Sequence, residues 1–137
     1  MSTAVSLLTY DDLCLSPHDI VEPDLLFIRQ DRLHIYKARG DVQGTPDSVV
    51  EIISPSSRKT DPGAKLNLYA RSGIREYWLA DPNTRRFQQF VLDEGRYAER
   101  APVGGRVHSV VIDGLSFDPA DLLADIPLDN GEGDEDD

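Results

Sequence analysis

The sequence contains one cysteine, Cys14, so no disulfide can form within the chain and no cluster of thiolates is available to bind zinc. No stretch approaches the roughly 20 apolar residues that a membrane helix needs. The first residues also lack the basic flank and the long apolar stretch of a secretory signal. The 137 residues, 39% of them hydrophobic, suffice for one folded domain. We therefore expect a cytoplasmic protein without a membrane partner.

Basic residues are scarce: 14 lysines and arginines stand against 25 acids, which gives a net charge of −11. This balance argues against a general nucleic-acid binder, because phosphate contacts need lysine and arginine. Six of the acids lie in residues 129–137, and without them 19 acids against 14 bases leave −5 for the rest. A block of like charge is typical of disorder. We predict one folded domain over residues 1–128 and an acidic disordered tail over 129–137. The domain itself is only mildly acidic, so local basic clusters can still bind a partner.

Hydrophobic patterning predicts mostly strands with one main helix. Residues 1–22 are poorly patterned and indicate an irregular lead-in with one short strand, and residues 39–47 indicate a loop. Asp61 and Pro62 suit the start of a helix that ends at Gly73, and a short helix follows over 119–124. The predicted strands cover 25–30, 33–38, 48–53, 74–80, 86–92, 96–100 and 106–112, with 86–92 and 96–100 pairing as a hairpin. This order indicates a mixed α/β or α+β domain.

One acid stands in an apolar strand. Glu51 lies within the run SVVEII at residues 48–53, which suits a strand buried on both sides. Burying an unpaired carboxylate costs several kcal/mol, so such an acid needs a metal, a cation or a shared proton as compensation. Asp24 precedes the strand predicted at 25–30, and Lys65 lies in the predicted helix. An Asp, Glu and Lys in this order indicate metal-assisted phosphodiester chemistry.

Two carboxylates on adjacent strands can place oxygens around Mg²⁺, which prefers carboxylate, carbonyl and water ligands. Such an ion lowers the pKa of a bound water and neutralises charge on a scissile phosphate, and a nearby lysine orients the water or holds a phosphate oxygen. Asp24, Glu51, the backbone carbonyl of Ile52 and Lys65 fit these roles. The residues alone leave a structural alternative open, with Glu51 in a salt bridge and Asp24 at a strand edge.

Three segments carry a resemblance to a known family: PDLLFI at 23–28, VVEIISPSS at 49–57 and GIREYWLADP at 73–82, with Asp61, Lys65 and Tyr69 between the last two. In this order, from about residue 14 to about residue 100, they resemble the Uma-two family of restriction endonucleases in the PD-(D/E)XK nuclease superfamily. The resemblance implies a restriction-endonuclease-like central mixed sheet with flanking helices. It also implies DNA cleavage that depends on Mg²⁺ (or Mn²⁺), with Asp24 and Glu51 as the metal-binding acids.

The lysine departs from the superfamily pattern. That pattern expects a lysine two residues after the second acid, and this position holds Ile53. The resemblance implies that Lys65 supplies the amine from the following helix instead. The alternative is a lysine that extends from the helix edge into solvent.

The N-terminus is a second departure. Family members carry a longer segment before the Pro-Asp strand, whereas 22 residues precede Pro23. We therefore expect an N-terminally shortened member, with part of the site missing or supplied by the second subunit of a homodimer. The same departure supports a rival function, in which a catalytically inactive nuclease-fold protein acts as a binding or assembly module.

Other polar residues have alternative roles. Ser56, Arg58 and Lys59 could contact a phosphate backbone, or they could form a solvated loop. Glu76 is expected to be a paired or exposed acid rather than a third metal ligand, and Tyr77 and Trp78 are expected to pack in the core. Three histidines show no metal-ligand spacing and are expected at ordinary surface or packing positions: His18, His34 and His108.

Overall fold

The computed structural model describes residues 12–53 and 62–125. Two α-helices occur in these ranges, α1 (Pro62–Arg71) and α2 (Pro119–Asp125), together with a 3-10 helix over Gln30–Ile35. The strands of the same ranges are β1 (Leu13–Ser16), β2 (Asp19–Val21), β3 (Leu25–Phe27), β4 (Val42–Gln43), β5 (Ser48–Ile52), β6 (Glu76–Asp81), β7 (Arg86–Asp93), β8 (Arg96–Arg100), β9 (Val107–His108) and β10 (Ser116–Phe117). No helix in the described part of the chain is long and apolar enough to cross a bilayer.

A five-stranded mixed sheet forms the centre, in the order β3-β5-β6-β7-β8. Strands β5 and β6 run parallel, which requires a crossover, and α1 lies on that crossover. The other neighbours in this sheet are antiparallel. A three-stranded sheet, β2-β1-β4, and a pair, β10-β9, complete the described strands. The predicted mixed α+β class with a central mixed sheet is confirmed.

One face of the central sheet packs against α1. Because opposite residues of neighbouring strands share a face, Val49 and Glu51 of β5 lie on the face of Tyr77, which stands opposite Val49. The ring of Tyr69 from α1 meets that of Tyr77 edge-on, with the ring centres 5.2 Å apart. Tyr77 also stacks on Phe90, and only 1% of it is exposed, so its predicted core role is confirmed.

The other face carries Glu76 and Trp78 and is covered by the C-terminal segment. Trp78 packs against Phe117 with ring centres 5.2 Å apart, as predicted for a core residue. Glu76 is fully buried and accepts hydrogen bonds from five donors, a paired acid as predicted. The donors are Trp78 Nε1 at 2.8 Å, Gln89 Nε2 at 2.7 Å, Ser109 Oγ at 2.7 Å, and the amides of Val110 at 3.4 Å and Val111 at 3.3 Å. These bonds fasten the C-terminal segment to the sheet.

Several predicted elements are confirmed. Strand β5 and the β7–β8 hairpin lie where the pattern places them, within a residue at each end. Helix α1 contains Pro62 and ends at Arg71, and Gly73 beyond it has a φ of +85°, which favours glycine after a helix. Asp61, the predicted helix cap, lies outside the described residues.

Two predicted strands do not form as expected, because residues far away in the sequence make hydrogen bonds or ion pairs with polar groups of these segments. Residues 33–38 were expected as a strand, but a 3-10 helix ends at Ile35. Its Arg32 donates to the carbonyl of Thr45 at 2.7 Å and pairs with Asp47 at 3.0 Å. Of 106–112, only Val107–His108 is a strand, because Ser109 Oγ and Glu76 take the amides that a ladder would need. The described part of the lead-in, residues 12–22, holds two strands where one was expected, and β4 lies within the expected loop at 39–47.

We predict that Glu76→Ala lowers the free energy of unfolding by about 3 kcal/mol or more. Each buried donor that loses its acceptor costs about 1–3 kcal/mol, and several lose it together. Urea unfolding followed by circular dichroism measures the change. Glu99→Ala is the matched control, because Glu99 is an exposed acid of the same sheet and should stay within about 0.5 kcal/mol of the wild type. Equal stability of the two variants would contradict the anchoring role of Glu76.

Candidate metal centre

Asp24 is placed by the antiparallel pairing of β3 with β5. Leu25 stands opposite Val50, so Asp24, one residue earlier, reaches the end of β5 that carries Glu51. Its Oδ2 accepts a hydrogen bond from the amide of Ile52 at 2.6 Å. Asp24 is exposed, whereas Pro23 before it is buried and anchors the start of the strand. The structure thus brings the first predicted acid beside Ile52 and next to the second acid.

Glu51 is compensated by α1. The carboxylate is buried, with 8% of the residue exposed, and its Oε2 accepts hydrogen bonds from two side chains. Lys65 Nζ lies 3.1 Å away and the hydroxyl of Tyr69 lies 2.7 Å away. Residues four apart on a helix lie on one face, so α1 aims both donors at the same oxygen. The cation expected beside a buried carboxylate is therefore Lys65, which also satisfies the salt-bridge alternative.

Each carboxylate has one oxygen to which no described residue donates. Among the described residues, no hydrogen bond reaches Oε1 of Glu51 or Oδ1 of Asp24. The amide and carbonyl of a strand residue point to the same side, so the Ile52 carbonyl points towards β3, where Asp24 binds its amide. Two carboxylate oxygens and one carbonyl oxygen thus lie at one end of β5. This donor set suits a hard divalent cation.

The donor set is small. Within residues 12–53 and 62–125, no group of three or more histidine, cysteine, aspartate or glutamate side chains converges on a possible metal position. Two carboxylates and a carbonyl leave about three positions of an octahedral ion for water or for substrate oxygens. Mg²⁺ keeps several waters when protein carboxylates bind it, so such a small set fits Mg²⁺ better than an ion that needs a full protein cage.

The two acids also act on a neighbouring tyrosine. Burial raises the pKa of Tyr77 well above its usual range, and the negative charges of Glu51 and then Asp24 raise it further. Burial likewise raises the pKa of Tyr97, with a smaller contribution from Tyr77 and none from the two acids. Both carboxylates therefore lie within electrostatic reach of the Tyr77 ring.

The remaining predicted site residues divide into three groups. Ser56, Arg58 and Lys59 lie outside the described residues, so their DNA contacts stay predictions. Glu76 lies on the opposite face of the sheet from Glu51. The histidines are exposed, which agrees with their expected surface positions: His18, His34 and His108.

One residue of the site was missed. Tyr69 was named among the residues that carry the family resemblance, without a role in the site, and its ring is fully buried. Its hydroxyl, however, donates to the buried carboxylate of Glu51. The available signal was its position four residues after Lys65, since that spacing puts both side chains on one face of the helix.

Comparison with known proteins identifies the family. The sequence model of Uma2, described as "putative restriction endonuclease", matches residues 6–120. The chain belongs to the Uma2 family. The predicted resemblance is confirmed, and no curated protein matches the chain.

A solved structure supports the fold. The chain is similar to a protein from Anabaena variabilis described as a putative nuclease belonging to DUF820, with a TM-score of 0.59 and 18% sequence identity. The match covers 77% of this chain and 60% of that protein, so the chain spans less than two thirds of the length of the protein it matches. At this identity the likeness establishes a nuclease-like fold.

Burial, and after it the charges of Glu51 and Asp24, raise the pKa of Tyr77, and we predict that the contribution of the two acids can be measured by removing their charges. Asp24→Asn and Glu51→Gln should each lower the pKa of Tyr77, and the pKa of Tyr97 should change less, because the acids affect Tyr97 only through Tyr77. Tyrosinate absorbance measured during alkaline titration follows both rings, and Tyr97→Phe assigns the signals. A raised pKa in the folded state means that its stability contribution holds below pH about 10 and is lost as the pH rises above that value.

If neither acid variant shifts the titration of Tyr77, the carboxylates do not act on this ring. The thermal midpoint gives a second check, because it should fall above pH about 10 and fall less steeply in Tyr77→Phe.

Proposed function

We propose that this chain is a metal-dependent DNA endonuclease that hydrolyses phosphodiester bonds. The observation that carries the proposal is the convergence of Asp24, Glu51 and the Ile52 carbonyl at one end of β5, with Lys65 beside them. Membership of a family described as restriction endonucleases and a nuclease-like fold support the same reaction class.

In this proposal Asp24, Glu51 and the backbone carbonyl of Ile52 would hold Mg²⁺ or Mn²⁺. Oδ1 of Asp24 and Oε1 of Glu51 accept no hydrogen bond from the described residues. When bound, the cation supplies a bound water of lowered pKa and neutralises charge that develops on the scissile phosphate. The other oxygen of each acid is engaged by Ile52 or by the helix donors, which orients both carboxylates in advance.

Lys65 has the position and the donors to act on the substrate. Its side chain is 25% exposed, so the ammonium reaches both the buried carboxylate and solvent. An ammonium carries three hydrogens, and Glu51 Oε2 takes one of them. The others can donate to a non-bridging phosphate oxygen or hold the attacking water, the role of a preorganised electrostatic donor.

DNA is the proposed partner. The predicted contacts, Ser56, Arg58 and Lys59, follow β5 in the chain directly and precede α1, so both of their neighbours in sequence contribute to the site. A short basic segment of this kind would supply the phosphate contacts that the acidic composition of the whole chain does not. The predicted homodimer stays a prediction, and sedimentation equilibrium measures it.

We predict cleavage of plasmid DNA in the presence of Mg²⁺ or Mn²⁺ that depends on three residues. Asp24→Ala and Glu51→Ala should each lower the rate at least about 100-fold, because each removes a cation ligand. Lys65→Ala should lower it about 100-fold or more, because it removes a donor to the reacting phosphate. Conversion of supercoiled plasmid to nicked or linear forms measures the rate. Asp113→Ala, an exposed acid, is the control, and equal rates for all variants would exclude these residues from the reaction.

We predict that a chelator removes the cleavage activity and that added metal restores it. EDTA should abolish cleavage, and excess Mg²⁺ or Mn²⁺ should restore it. The thermal midpoint of the wild type should rise by roughly 10 °C at a Mn²⁺ concentration of 100 times its Kd, because a ligand that binds only the folded state then stabilises it by about 2.7 kcal/mol. Glu51→Ala should show no rise. Cleavage that survives chelation would contradict metal dependence.

A further inference from the structure

We propose that Tyr69 is a positioning residue that determines which oxygen of Glu51 meets the divalent cation, and that it thereby favours a small octahedral ion over Ca²⁺. The inference rests on the proposed metal site. It adds a residue that holds one of the proposed ligands, Glu51, in place. It assigns Tyr69 no contact with substrate or metal.

The first step is the geometry of one oxygen. Oε2 of Glu51 accepts the Tyr69 hydroxyl at 2.7 Å and the Lys65 ammonium at 3.1 Å. Oε1 accepts no hydrogen bond from the described residues and is therefore the oxygen of Glu51 that can bind a cation without displacing a donor.

The second step is the rigidity of the donor. Tyr69 is fully buried, and its ring meets that of Tyr77 at 73° with the centres 5.2 Å apart. A tyrosine ring held in this way has little freedom to withdraw its hydroxyl. Lys65 is different, because its flexible stem is partly exposed and its ammonium has a proposed task on the substrate. Because Lys65 also serves the substrate in this proposal, Tyr69 is the donor that is dedicated to Oε2.

The third step is the consequence for metal choice. Binding of a cation through both oxygens of Glu51 would require Oε2 to give up the Tyr69 hydroxyl in a buried site, which costs a hydrogen bond. Binding through Oε1 alone leaves the hydrogen bond between Tyr69 and Oε2 intact. Mg²⁺ accepts single oxygens in an octahedron at about 2.0–2.1 Å, whereas Ca²⁺ takes six to eight ligands and often uses carboxylates through both oxygens. The hydroxyl therefore discriminates against Ca²⁺.

Isothermal titration calorimetry with Mn²⁺ and with Ca²⁺ tests this inference on the full chain. Tyr69→Phe removes only the hydroxyl and should weaken Mn²⁺ binding about 10-fold, the lower range for loss of a residue that supports a ligand. Ca²⁺ binding should weaken less than about 3-fold, because Oε2 becomes available as a second ligand. The ratio of the two affinities should therefore fall.

Tyr97→Phe is the matched control. Tyr97 belongs to the same aromatic cluster and its hydroxyl also donates a hydrogen bond of 2.7 Å, but to the carbonyl of Ile74 rather than to Glu51. It should lose stability without changing either affinity. A change in the affinity ratio is a readout that loosening of the core alone would not produce.

The outcomes separate this inference from the proposed function. If the wild type binds Mn²⁺ no better than Glu51→Ala, the proposed metal site fails and the inference fails with it. If the wild type binds Mn²⁺, Glu51→Ala does not, and Tyr69→Phe matches Tyr97→Phe, the metal site stands and the role of Tyr69 is overturned. An equal loss for Mn²⁺ and Ca²⁺ in Tyr69→Phe also overturns the inference, because it removes the selectivity.

Infrared difference spectra of the wild type cover the case in which Tyr69→Phe does not fold. The separation between the two carboxylate stretching bands distinguishes coordination through one oxygen from coordination through both. Addition of Mn²⁺ should give the one-oxygen pattern, and this signal should be missing in Glu51→Gln. A two-oxygen pattern assigned to Glu51 would overturn the inference.

Discussion

The hydrogen-bonded junction at Oε2 of Glu51 is the constraint on which the rest of the structure depends. It joins the inner strand β5 to helix α1 through Lys65 and Tyr69, in the region where the sheet is buried beneath the helix. Without these donors, a carboxylate on an apolar strand would cost several kcal/mol, and neither the strand nor the helix packing would be favourable. The same junction orients the carboxylate for chemistry. The stability of the fold and the proposed activity therefore both depend on the hydrogen bonds to Oε2 of Glu51. A substitution of Lys65 or Tyr69 should affect both.

The central sheet buries a second acid, and the contrast between the two explains why only one is a candidate ligand. Glu76 accepts neutral donors at both of its oxygens and holds the C-terminal segment in place. Within residues 12–53 and 62–125, the donors to Glu51 all lie at one oxygen, Oε2. A carboxylate that is saturated with hydrogen bonds would have to break them to bind a cation, whereas one that is satisfied on a single side needs no such rearrangement. Burial alone therefore does not distinguish the two acids, but the distribution of donors around them does.

Local signals in the sequence predicted much of the fold. Strand β5 has a continuous apolar pattern, the β7–β8 hairpin has a turn with Gly95, and α1 has a proline near its start and a glycine after its end. The 3-10 helix could not be predicted in this way, because the partners of Arg32 lie 13 and 15 residues later in the chain. The strand expected over 106–112 failed for the same reason, since Glu76 binds its amides from more than 30 residues away. For the site, the order of Asp24, Glu51 and Lys65 was readable, but which oxygen each donor occupies is a property of atomic positions.

The proposed ligands rest on strands of unequal length and protection. Asp24 is positioned by β3, which has three residues, carries the half-exposed Leu25 and lies at the edge of the sheet among the described strands. Glu51 lies on β5, between β3 and β6. Short edge strands open locally at a lower free energy than central ones, so β3 can separate while the core stays folded. Amide hydrogen exchange would therefore be fast at Asp24 and slow at Glu51. A ligand bound to both Asp24 and Glu51 would hold β3 against β5. Amide exchange on β3 would then become slower, although the ligand contacts no residue of β3.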